Sequence, residues 1–159
     1  MEKWTEVIEK AGELYGGNFH CCEAILLAVG EYCGYQTFSR EMLLKISTPL
    51  GGGLINNGAA CGSLLAAYLC MGIFKGRTSE NEGRNAACEP ADRIFQKFCG
   101  KYGSSNCRDI IGYDKKDPEA VKLYGSKVKC QVCIPLTQEV TRWILEELEN
   151  ANYNSKDHN

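Results

Sequence analysis

Apolar residues recur along this chain at helical spacing, and the strict alternation of a half-buried strand is almost absent. Trp4, Val7, Ile8, Ala11 and Leu14 mark one face of an amphipathic segment over residues 2–15, which Gly16-Gly17-Asn18 ends. A second segment runs from Cys21 to Tyr32 with Ala24, Ile25, Ala28 and Val29 inward, closed by Cys33-Gly34. Ser39 has the character of an N-cap for a third, although Met42 stands where a full capping box has Glu or Gln.

Gly51-Gly52-Gly53 and Asn56-Asn57-Gly58 break the backbone before a helix of small residues from Cys61 to Lys75. A further helix is predicted over 80–102, with Ile94, Phe95 and Phe98 inward and Pro90 starting a new turn or kinking it. Asp117-Pro118-Glu119 opens a short helix or turn. Residues 130–148 place Val140, Trp143, Ile144 and Leu148 on one face. These elements predict an all-α fold: one compact domain of about six helices over residues 1–149, followed by a polar tail at 150–159 that frays.

Charge narrows the function. Eighteen basic and twenty acidic residues leave a net charge of −2, with no basic run interleaved with aromatics, so no nucleic-acid partner is expected. The uncharged stretch from Ala59 to Phe74 falls short of the roughly 18 residues of a membrane span, and its small residues suit a buried helix. The opening residues lack the apolar core of a secretory signal, so the expected compartment is the cytoplasm, whose reducing conditions oppose disulfides. Glu146-Glu147 and Lys115-Lys116 read as solvated charge.

Cysteine changes the picture most. There are ten among 159 residues, many for a cytosolic chain, because thiols oxidise and capture metals. Cys21, Cys61, Cys107 and Cys130 stand apart, each following a short Gly/Asn/Ser or basic stretch and opening a segment of helical pattern. A thiolate at a helix start is stabilised by unpaired N–H groups and the positive end of the helix dipole. An anionic iron–sulfur cluster asks for the same surroundings, and neighbouring glycines let backbone approach it closely. Cys33, Cys70, Cys88 and Cys99 read as packing residues. His20 reads as a capping or surface histidine beside Cys21.

The order of these four cysteines, with Cys61-Gly62-Ser63-Leu64-Leu65-Ala66 at the second, resembles the redox-active protein family named for its pattern, C_GCAxxG_C_C. Ser63 stands for the motif's Ala and Ala66 for its Gly, and both replacements stay small. The resemblance covers nearly the whole chain except the polar tail. It implies a redox class, with Cys21, Cys61, Cys107 and Cys130 as the first to fourth cysteines and no substrate named.

Three readings follow. In the first, an iron–sulfur cluster on Cys21, Cys61, Cys107 and Cys130 carries electrons or senses redox state and works with a redox partner protein. Cys22 could replace Cys21 in it, and Cys133, in Cys130-Gln131-Val132-Cys133, could replace Cys130. In the second, two of these thiols cycle without metal as a thiol–disulfide oxidoreductase. In the third, the cysteines hold structural zinc or serve a helical interaction module. No general acid or base stands out; if the protein is an enzyme, it is an oxidoreductase.

Overall fold

Helices form where the apolar period places them, and their ends follow local backbone chemistry. A computed structural model describes residues 3–35 and 38–150, so the predicted tail lies, but for Asn150, outside the described residues. Helix α1 (Thr5–Gly16) buries Val7, Ile8, Ala11 and Tyr15. Helix α2 (Cys21–Tyr32) starts and ends where the pattern predicts, and every residue from Cys22 to Gly30 is buried. It is therefore the central helix, with α1, α3 (Arg40–Ser47), α5 (Gly62–Lys75) and α9 (Ile134–Asn150) packed around it. Ser39 caps α3 by accepting the Met42 N–H at 3.2 Å.

Between α3 and α5 the chain makes a 3₁₀ turn (Thr48–Leu50) and the four-residue α4 (Gly51–Leu54). The glycine triplet there is buried and close-packed. Gly53 sits at φ +72°, and a Cβ on it would meet the Ala59 carbonyl oxygen at 2.5 Å and the Cys107 Cβ at 2.8 Å. Only glycine provides both the left-handed backbone and that clearance.

Helix α6 (Asn85–Tyr102) begins five residues later than the pattern suggests, and Pro90 lies inside it. The proline is tolerated because the Ala86 carbonyl that loses its N–H partner belongs to an exposed residue. Phe98 is fully buried and its ring lies 5.0 Å from that of Tyr102, which in turn lies 6.5 Å from Trp143 of α9. Burying a side chain of that size contributes about 1.5–3 kcal/mol. Glu147, expected on a solvated face, is buried on α9, where its carboxylate accepts from Arg93 of α6 at 2.7 and 3.1 Å.

After α7 (Cys107–Ile111), Asp117 caps α8 (Pro118–Val128) by accepting the Glu119 N–H at 3.0 Å. A π-helical turn, Lys129–Cys133, then joins α8 to α9, so the final helix starts four residues after Cys130. The architecture is all-α. Among the described residues there is no strand, only an isolated bridge between Ala60 and Asn106, and no helix is long and apolar enough to cross a membrane.

Candidate functional site

Three of the singled-out cysteines sit at helix starts converging on one end of the bundle. Cys21 opens α2, Cys61 is the N-cap of α5, and Cys107 opens α7. Two long-range backbone pairs hold the last two starts together: Cys107 N–H donates to the Ala59 carbonyl at 2.7 Å, and Cys61 N–H to the Ser105 carbonyl at 2.8 Å. Sequence separation is thus overcome by main-chain bonds within the loops that the glycines and Asn-Asn-Gly create.

Cys21, Cys61 and Cys107 line a small cavity of about 20 Å³ together with Cys133, Tyr15 and Lys115. Cys130 is exposed and does not line it, whereas Cys133 does. The π-helical turn accounts for this placement. Cys130 lies within that turn rather than at a helix start, and Cys133, at its end, faces the cavity. Cys22, one residue from Cys21, is fully buried in the core.

The backbone shapes the pocket around sulfur. A Cβ on Gly62 would lie 2.6 Å from the Cys21 sulfur, so glycine there lets the start of α5 press against that thiol. The backbone N–H groups of Ser63 and Leu64, in the first turn of α5, favour negative charge on the Cys61 sulfur. The Tyr15 hydroxyl lines the cavity beside Cys133 and favours negative charge on its sulfur. Ser63 meets Thr137 of α9 at 3.1 Å between hydroxyls, joining two walls of the site.

Burial dominates the electrostatics. It pushes the Cys107 thiol up to about 11, with Lys115 working against the rise. It raises Cys61 further, against the two backbone donors, and it raises Cys133, again opposed by Lys115. Lys115, expected as solvated charge, is therefore a cation facing these sulfurs.

His20 is the N-cap of α2, and Glu23 folds back to accept the His20 backbone N–H at 2.8 Å and the Thr48 hydroxyl at 2.8 Å. Its carboxylate is thus engaged at the helix start. Cys70 is buried and Cys33 packs against the core, as read from sequence, while Cys88 is exposed. None of the described cysteines is in a disulfide. Among the described residues, no three Cys, His, Asp or Glu side chains are disposed to hold a metal ion.

Tyr15 and Lys115 escape a reading based on cysteines alone. Tyr15 follows Ala11 by four residues and so continues the buried face of α1, a signal that periodicity carries. Nothing local marks Lys115.

The family model described as "Putative redox-active protein (C_GCAxxG_C_C)" matches residues 19–147. No curated protein and no solved structure matches the chain.

Proposed function

The chain belongs to the C_GCAxxG_C_C family of redox-active proteins, and on that premise we propose that Cys21, Cys61, Cys107 and Cys133 together hold an iron–sulfur cluster. The observation that carries this reading is the gathering of four soft sulfur donors, from four separate segments, around one buried cavity. The donor set matches the group in kind. Three of the four lie at helix starts, where the N–H groups of the first turn favour negative charge on sulfur.

Burial supports the same choice. A nucleophilic thiol works best exposed and with a lowered pKa, whereas Cys61, Cys107 and Cys133 are raised by desolvation. Such thiols lose their protons when a cationic centre replaces it, as metal coordination does.

When bound, the cluster would take up and release an electron. The chain's own residues have separate tasks. The α5 N–H groups and Lys115 stabilise negative charge on sulfur, Gly62 and Gly53 keep the walls close, and the apolar wall from Ile110, Ile111 and Leu136 excludes water. Electron transfer or redox sensing then calls for a redox partner protein.

The test is anaerobic purification from an iron-replete host, with iron, zinc and acid-labile sulfide measured beside a visible spectrum. Iron and sulfide with charge-transfer bands are expected. Cys133→Ser is expected to remove both and Cys130→Ser to retain them. Iron unchanged in Ser variants of all four cavity cysteines would sink the proposal.

One observation favours a second reading. A cavity of about 20 Å³ has room for little more than one water. Without metal, two of its thiols could reduce a partner's disulfide: one S–S bond forms here, the partner's breaks, and two electrons and two protons pass to its sulfurs. That reading expects a colourless protein without iron or sulfide, even after anaerobic reconstitution. Two of the four thiols would then disappear from alkylation after oxidant.

A further inference from the structure

A much larger cleft opens beside the thiol cavity. It measures about 400 Å³, within the range of small-molecule sites, and shares Tyr15, Lys115 and Cys133 with the cavity. One wall is the loop before α2, including Phe19 and His20; the other is built from α8 and the π-helical turn. Single π-helical turns recur at functional sites because they displace side chains from the helical register.

The charge in the cleft is one-sided. Lys115 and Lys129 line it, and no Asp or Glu does, in a chain whose net charge is −2. Among the described residues neither lysine enters an ion pair. Asp114, next to Lys115 in sequence, is occupied elsewhere: it accepts from Arg108 at 3.0 Å and from the Lys116 N–H at 2.9 Å. Lys129 lies 5.0 Å over the Tyr15 ring, which holds its charge at the boundary between cleft and cavity. Phe19 and Tyr113 add flat apolar surface, and Val121 and Gly125 of α8 leave room.

The geometry points to a binding site for a small organic anion with a flat conjugated body, its charge on Lys115 and Lys129 and its face on Phe19 and Tyr113, seated within reach of Cys133. This goes beyond the cluster proposal and does not depend on it, because the two lysines and the aromatic wall are present whatever the cysteines hold.

The experiment uses the full chain as purified, and again after chelation of any metal, so that loss of iron and failure of the cleft read separately. Calorimetric titration compares anthraquinone-2-sulfonate, a flat monoanion, with its uncharged counterpart 2-(hydroxymethyl)anthraquinone. The sulfonate is expected to bind at least about fivefold more tightly, and Lys115→Ala and Lys129→Ala each to weaken it about fivefold. Val121→Trp, which fills the cleft and keeps both charges, is expected to block it; this variant separates occupancy of the cleft from attraction to lysines elsewhere. No binding of the sulfonate, equal affinity for the two probes, or full affinity in the lysine and tryptophan variants overturns the assignment.

Discussion

Cys21 and Cys22 are neighbours on one helix, and Cys61 caps another that carries Cys70 further along, yet each pair is divided between two different regions. Cys22 and Cys70 are fully buried in the middle of the bundle, packed against apolar side chains of α2, α5 and their neighbours. Cys21 and Cys61 stand at the helix starts, around a cavity with Cys107, Cys133 and Lys115. In the interior every backbone N–H is committed to its own helix, so a thiol there is a small hydrophobe. At the first turn the N–H groups have no partner within their own helix, and the positive end of the helix favours negative charge on a nearby sulfur. The same residue type serves packing in one region and chemistry in the other.

Exchanges within the pairs should break this contrast most sharply. Cys21→Ala is expected to abolish iron binding with little effect on the metal-free fold. Cys22→Ala is expected to leave iron content intact while lowering stability by about 1–2 kcal/mol, since a buried atom is lost from a close-packed site. Iron assay beside urea denaturation separates the two. Equal iron loss in both variants would erase the distinction between the regions.

The glycine walls are the next largest effect. Gly53→Ala places a Cβ against the Ala59 backbone at a positive φ, and is expected to cost about 2–3 kcal/mol in denaturant unfolding. Arg93→Ala, at the other end of the comparison, leaves Glu147 buried without its guanidinium and is expected to cost about 2 kcal/mol. Its iron content should match the unmodified protein, because the pair joins α6 to α9 away from the thiols.

Alkylation sharpens the contrast by rate. Iodoacetamide needs thiolate, and in the metal-free protein burial holds Cys107 at about 11, so at pH 8 about one molecule in a thousand has that thiolate. Labelling at Cys107 is expected to rise roughly tenfold per pH unit between 8 and 10. Cys88 and Cys130, which are exposed, should be consumed first. Mass spectrometry of timed digests reads the order; early labelling of Cys107 would contradict its burial. The smallest effect is remote from both regions: Ser39→Ala removes the cap of α3 and is expected to cost about 1 kcal/mol.

Much of this was legible from residues alone, for local reasons. Apolar spacing reports a helix wherever one face is buried, and so α2, the cap at Ser39 and the buried face of α9 read correctly. Three of the four cavity cysteines were also legible, because glycine and asparagine breaks mark helix starts and Cys21, Cys61 and Cys107 lie at them. The delayed start of α6 was not: residues 80–84 form a turn in which Glu82 accepts from Thr78, a choice made by side-chain hydrogen bonding rather than apolar period.

The rest depended on the assembled chain. Whether Cys130 or Cys133 reaches the cavity turns on a π-helical turn that displaces the register between α8 and α9, and a Cys-x-x-Cys spacing is equally compatible with either. Glu147 and Lys115 looked like solvated charge because their partners, Arg93 and the buried sulfurs, come from distant segments. Local pattern thus sets which segments are helices and which thiols stand at their starts, since those depend on residues one to four positions apart. Which sulfurs share a cavity, and which charges face them, depends on packing between segments tens of residues apart, and that is settled only when the helices meet.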